Sequence, residues 1–150
     1  MRIAVGSDER TSLTDSVLEE LKRRDHEVVL YGALQEGDDP RWPRVAQRVA
    51  EQVASAQAQQ GILFCWTGTG VSMVANKLPG ARAALCDDVE TARGARRWND
   101  ANILCMSLRR TAPEVAKEVL HAWFSTVELD ETELENIEQV KQLDRQKTAV

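Results

Sequence analysis

The feature that most constrains this chain is an alternation of short apolar runs with amphipathic stretches, repeated along most of its length. The runs are Arg2-Ile3-Ala4-Val5-Gly6, Glu27 to Tyr31, Ile62 to Cys65, Ala81 to Cys86 and Ala101 to Met106. Between and after them lie Ser12 to Arg24, Pro43 to Gln57, Val71 to Lys77, Asp88 to Trp98 and Pro113 to Phe124. These carry apolar residues at helical spacing, as in Leu13, Val17 and Leu21, or Val45, Val49 and Val53. A strand that is apolar throughout is buried on both faces, as in a parallel sheet covered by crossover helices. The pattern predicts an α/β fold over residues 1–126: a doubly wound five-stranded parallel sheet with helices on both faces.

Residues 127–150 read differently. Glu128 to Glu138 holds six acidic residues and no basic one, yet Leu134, Ile137, Val140 and Leu143 recur every third position. This predicts an acidic C-terminal helix with one apolar stripe, which needs a surface to cover it. That surface is either its own domain or a second copy; the expectation is packing at a dimer interface, with Gln146 to Val150 frayed.

Composition narrows the function classes. A chain of 150 residues makes one domain, and nineteen basic against twenty-four acidic residues leave a net charge of −5. That disfavours a nucleic-acid partner, whose phosphates demand basic surface. No apolar run approaches the ~18 residues of a membrane span, and the N-terminus lacks signal-peptide order. The three cysteines, Cys65, Cys86 and Cys105, are widely spaced within or beside apolar runs. They read as reduced thiols in a cytoplasmic protein, and no His/Cys cluster suggests a metal.

The chemistry concentrates at Thr67-Gly68-Thr69-Gly70, between a predicted strand and a predicted helix. Ligands bind there in open parallel sheets, beyond the strands' carboxyl ends. Glycines expose backbone N–H groups and a helix end adds partial positive charge, so the loop suits an anionic oxygen. It matches neither a dinucleotide nor a Walker loop, and a plain tight turn stays an open alternative. Cys65 ends the preceding strand, where a thiol would feel that helix end. Asp8 ends the first strand, and Asp87 and Asp88 the fourth, with Asp88 also a natural helix cap. His26 and His121 lie away from these loops.

On these residues the chain resembles the sugar-phosphate isomerase family of type B ribose-5-phosphate isomerases and galactose-6-phosphate isomerase subunits. The matching stretches are Arg2 to Asp8, Gly61 to Cys65 with Thr67 to Gly70, Ala75 to Cys86, and Asn99-Asp100-Ala101-Asn102, in order from residue 1 to about 126. The resemblance implies a homodimer, or a dimer of dimers, with sites at the subunit interface. It also implies aldose–ketose interconversion of a small-molecule sugar or sugar phosphate through a cis-enediolate, with no metal or other cofactor. Carried over by position, Cys65 is the proton-transferring residue, and Thr67 the hydroxyl accompanying ring opening. Gly68, Thr69 and Gly70 become the anion-stabilising loop; Asp8 and Asn99 contact substrate hydroxyls.

The departures are as informative. Where the family reads Ser-Asp-His-Ala-Gly this chain has Ser7-Asp8-Glu9-Arg10-Thr11, so a phosphate-contacting His becomes Glu9. The ring-opening His becomes Trp98, and a Gly before the loop becomes Trp66. The family's arginine-rich phosphate clamp falls at about Asp130 to Asn136, here Asp-Glu-Thr-Glu-Leu-Glu-Asn. Acidic groups beside a phosphate repel it by roughly 1–4 kcal/mol at ~4 Å. The expectation is therefore an isomerase with a shifted substrate (unphosphorylated, short-chain or acyclic). Arg10 is the first candidate to replace the lost charge, then Arg96, Arg97, Arg109 and Arg110. Trp66 and Trp98 are expected to form an aromatic wall. The alternative is a non-catalytic sugar- or partner-binding member.

Overall fold

The computed structural model describes residues 1–148. Five strands alternate with five helices: β1 (Arg2–Ser7), α1 (Ser12–Arg23), β2 (Glu27–Gly32), α2 (Trp42–Ala54), β3 (Gln60–Cys65), α3 (Thr69–Ala75), β4 (Ala83–Leu85), α4 (Val89–Asn99), β5 (Ile103–Ser107) and α5 (Pro113–Ser125). A 3₁₀ turn (Glu131–Glu133) leads into α6 (Leu134–Thr148).

All pairings are parallel, in the order β2-β1-β3-β5-β4. After β3 the chain passes over the place of β5, lays down the edge strand β4, and returns through α4 to fill the gap. Because side chains alternate across a strand, each strand feeds two cores. Ile62 and Phe64 join Val17, Leu21, Leu120 and Trp123 beneath α1, α4 and α5. Leu63 and Cys65 join Val45, Val49 and Val71 beneath α2 and α3. The expected doubly wound sheet is thus the observed one.

Local chemistry sets several boundaries. Thr11 caps α1 through a capping box, its side chain accepting from the Thr14 amide while Thr14 Oγ1 accepts from the Thr11 amide. β4 holds three residues rather than the six expected, because it is an edge strand that the loops take over. The Asn76 side chain both donates to the Ala83 carbonyl (2.9 Å) and accepts from its amide (2.8 Å), and Asn102 accepts from the Arg82 amide (2.7 Å). The helix expected from Val71 begins two residues earlier, so Thr69 and Gly70 belong to α3 itself.

The tail folds back on its own chain. Ile137 is buried, Lys141 pairs with Asp100 (2.8 Å), and the Gly80 amide donates to Asp144 (3.0 Å). Leu134, Val140 and Leu143 nevertheless remain about half exposed (47%, 48% and 55%). The domain therefore covers one residue of the stripe and leaves three. α6 runs to Thr148, into the stretch expected to fray; Ala149 and Val150 lie outside the described residues.

Candidate functional site

The carboxyl ends of β1, β3 and β5 come together in register, Ser7 opposite Phe64 and Cys65 opposite Ser107. Cys65, the last residue of β3, is buried at 5% exposure. Beyond it the chain turns at Gly68, whose φ of +75° is a left-handed conformation. A Cβ at Gly68 would lie 2.5 Å from Leu85 Cδ1 and 3.0 Å from the Met106 backbone, so only glycine brings the loop this close to β5. No side chain caps α3, which leaves its first-turn amides open to a ligand oxygen. The hydroxyls of Thr67 and Thr69 lie 2.7 Å apart.

A cleft of 340 Å³ opens beside this loop, lined by Thr67, Thr69, Leu85, Asp87, Ser107, Arg109 and Arg110. Ser107 ties the strand ends together. Its hydroxyl donates to the Trp66 carbonyl (2.9 Å) and accepts from the Arg110 amide (3.3 Å), while the Arg109 amide donates to Trp66 (3.1 Å). The guanidiniums of Arg109 and Arg110 have no hydrogen bond or ion pair among the described residues. Every other arginine, from Arg2 to Arg145, has one.

Arg10 is among those engaged, 2.8 Å from Asp15 in the first turn of α1. Arg96 donates to the Ala101 carbonyl and Arg97 pairs with Asp130 (3.6 Å). The arginines that line the cleft beside the loop are Arg109 and Arg110, whereas Arg10 at the end of β1 is paired with Asp15. The sequence could have signalled this, since residues just past a parallel strand's end share that edge with every other strand end.

Asp8 and Glu9 close the β1 end. Asp8 Oδ1 is buried and accepts no hydrogen bond among the described residues. Burial pushes its carboxyl above the ordinary range, and the Glu9 charge adds to that. Glu9 is exposed, its backbone bound to the Ser7 hydroxyl. Burial also raises the other two thiols, Cys86 to about 12 and Cys105 well above its usual value, and both lie at 0% exposure. Those two only pack. Asp88 caps α4 by accepting from the Thr91 amide (2.8 Å), which leaves Asp87 as the fourth-strand carboxylate facing the cleft.

Trp98 and Asn99 are elsewhere. α4 leaves the carboxyl end of β4 and runs eleven residues, about 16 Å, to the amino end of β5. Its last residues are therefore at the opposite edge of the sheet from Cys65. There they line a larger groove of 430 Å³ with Arg82, Ala84, Ile137, Val140 and Leu143. Trp66 (61% exposed) and Trp98 (51% exposed) consequently form no common wall within one chain, contrary to expectation. The aromatic that does reach the loop is Trp42, which carried no motif to single it out. The Trp42 ring lies 3.1 Å from where a Cβ on Gly70 would stand.

A model described as Ribose/Galactose Isomerase matches residues 3–143, well into the acidic tail. A protein of Pectobacterium atrosepticum called D-erythrulose-4-phosphate isomerase is 36% identical over 124 residues, 82% of each chain. Ribose-5-P isomerase B of Listeria innocua is 35% identical over 127 residues, 84% of this chain and 85% of that one. Among solved structures, ribose-5-phosphate isomerase B of Clostridium thermocellum superposes with a TM-score of 0.88 at 31% identity, covering 97% of this chain and 99% of the other.

Proposed function

The chain belongs to the ribose/galactose isomerase family, whose named members interconvert aldose and ketose phosphates, and from that premise we propose how this member holds and converts its substrate. The Cys65 sulfur removes the proton from the carbon beside the sugar carbonyl and returns it to the neighbouring carbon. In between, the electron pair of the broken C–H bond becomes the carbon–carbon double bond of an enediolate, and the carbonyl π pair moves onto its oxygen. The proton of the adjacent hydroxyl passes to that oxygen as the new carbonyl forms. The amides at Gly68, Thr69 and Gly70 and the paired hydroxyls of Thr67 and Thr69 face that oxygen. Donors fixed before the charge develops stabilise it without reorganising. Asp8 Oδ1, buried without a donor, accepts from a substrate hydroxyl.

The observation that carries the substrate reading is the pair of unpartnered guanidiniums. Arg109 and Arg110 rim the cleft beside the loop, and Arg–phosphate contacts are strong and often bidentate. Across β1, β3 and β5 the site thus runs from acid (Asp8, Glu9) through thiol and anion loop to base (Arg109, Arg110). A sugar phosphate lies along that gradient with hydroxyls at β1 and phosphate at β5. This replaces the missing clamp, because Asp130 to Glu133 form an acidic turn bound to Arg97.

Two copies complete the site. Trp98 and Asn99 reach a cleft only by coming from another chain. The half-exposed Val140 and Leu143, lining the groove beside the edge strand β4, offer the apolar surface for that contact. The test is solvent deuterium incorporation at C1 or C2 of matched free and phosphorylated tetroses, pentoses and hexoses, followed by NMR. Incorporation confined to phosphorylated sugars supports the reading. Exchange of free sugars alone moves the phosphate out of the site, and silence across the panel leaves a binding subunit.

A further inference from the structure

Two glycines of the loop are glycine for different reasons. Gly68 has a left-handed φ that other residues resist; Gly70 has no such φ and lies in an ordinary turn of α3. Alanine is the better residue in a helix, so the backbone gives no reason for glycine at position 70. The reason is Trp42. A Cβ at Gly70 would stand 3.1 Å from Cε3 and Cζ3 and 3.4 Å from Cδ2 of that one ring. The indole occupies the place a side chain would take.

Trp42 is firmly rooted. It is the first residue of α2 and precedes Pro43, whose fixed φ suits a helix start. Val45 and Val49 of α2 share a core with Val71 of α3, so the ring and the loop are carried by helices packed on each other. The atoms nearest Gly70 belong to the benzo half of the indole, while the nitrogen lies in the other ring. The loop therefore meets hydrocarbon rather than a hydrogen-bond donor. The ring is 43% exposed and lines a surface hollow with Arg41, Pro43 and Arg44. Both arginines are engaged locally, Arg41 with Asp39 (2.5 Å) and Arg44 with Gln47 (3.2 Å). Trp42 thus stands between solvent and one flank of the loop. Hydrocarbon in place of water lowers the local dielectric and strengthens every donor beside it.

We propose, on the isomerase reading above, that Trp42 is a positioning residue of the anion loop. Its benzo edge, seated on Gly70, fixes Thr69 and Gly70 and keeps water from that flank. Its effect falls on conversion rather than capture. Phosphate carries its charge before and after the reaction, so Arg109 and Arg110 act on KM. The oxyanion exists only once the C–H bond is breaking, so what steadies the loop acts on kcat.

The experiment follows isomerisation of ribose 5-phosphate and D-erythrulose 4-phosphate by NMR, comparing wild type with substitutions at both positions. Trp42→Ala is expected to lower kcat at least ~10-fold with KM held within ~3-fold, and Trp42→Phe to retain most of the rate. Gly70→Ala is expected to cost a similar factor in the wild type but less than ~3-fold on top of Trp42→Ala, where the ring it collides with is gone. Fully additive losses, or a Trp42→Ala kcat within ~2-fold of wild type, overturn the proposal. So does a lowered thermal midpoint with kcat per folded molecule unchanged, the mark of a ring that only steadies α2. Where Trp42→Ala folds poorly, Trp42→Phe with Gly70→Ala decides, because the smaller ring leaves room for the Cβ. A kcat recovered toward wild type supports the pairing, and one no better than Gly70→Ala alone overturns it. Wild type that converts neither sugar and incorporates no deuterium overturns the isomerase reading itself, and this one with it.

Discussion

The carboxyl edge of the sheet and the α4–α6 side are built by different means. At the carboxyl edge, Cys65, Gly68 and Ser107 are fixed by strand register and by hydrogen bonds between neighbouring strand ends. At the α4–α6 side, Trp98, Val140 and Leu143 are held in place yet left about half exposed. The first region is tied together within one chain. The second is a prepared surface whose apolar groups remain in water until something covers them. On the proposed reading, reaction chemistry resides where backbone register sets geometry, and the second surface waits for another copy.

The sharpest way to break that comparison is at Cys65. Cys65→Ala is expected to reduce deuterium exchange into substrate by ~10²–10⁴-fold, the range for losing a positioned general base. Removing one small buried atom leaves the fold standing, checked by circular dichroism and by a thermal midpoint within a few degrees of wild type. Exchange that survives the substitution would take the proton transfer away from Cys65.

Arg109→Ala with Arg110→Ala comes next. Each charge-assisted hydrogen bond lost is worth ~1.5–3 kcal/mol. KM for a phosphorylated substrate is expected to rise at least ~10-fold, and its dependence on salt to weaken. The outcome that would sink the acid-to-base gradient is an unchanged KM. On the other side of the molecule, Val140→Glu with Leu143→Glu places two charges on the uncovered stripe. The pair is expected to shift the chain to monomer in sedimentation velocity and to abolish turnover while leaving helicity intact. Gly68→Ala tests the carboxyl edge by backbone alone. A side chain at φ +75° that also meets Leu85 and the Met106 backbone is expected to destabilise by ~1–3 kcal/mol, read from urea unfolding.

The elements were legible because periodicity records which faces are buried, and parallel strands are buried on both. Strand order was not, since nothing in Ile103 to Ser107 says that it fills a gap left between β3 and β4. The candidate site divided the same way. Cys65 and the Thr-Gly-Thr-Gly loop could be placed from a strand, a turn and a helix read in sequence. The replacement cation could not, because Arg10 and Arg109 differ only in what the fold sets beside them: Asp15 for one, an open cleft for the other. Trp98 and Asn99 could have been placed by tracing α4 backwards from β5, which puts them at the far edge whatever their chemistry.

The smallest effect tests the acid end of the gradient. Asp8 is pushed above its ordinary value of 3.8 chiefly by burial and then by Glu9, while the amides of Asp8 and Glu9 pull it down. A carboxyl raised on folding binds its proton more tightly in the folded chain. Its stabilising contribution is fully present below the unfolded value and is lost as pH rises through the folded one. Asp39 runs the other way: Arg41 holds it at about 2, so what it contributes is present above 3.8 and lost as pH falls from there through about 2. Between pH 7 and pH 4 the urea midpoint of the wild type is therefore expected to move upward relative to that of Asp8→Asn, since the variant lacks only the Asp8 contribution. A substrate hydroxyl donating to Oδ1 favours the ionised carboxylate, so a bound sugar phosphate is expected to shrink that difference. If ligand leaves the difference untouched, Asp8 is a buried carboxyl at the end of β1 and the substrate's hydroxyls lie elsewhere.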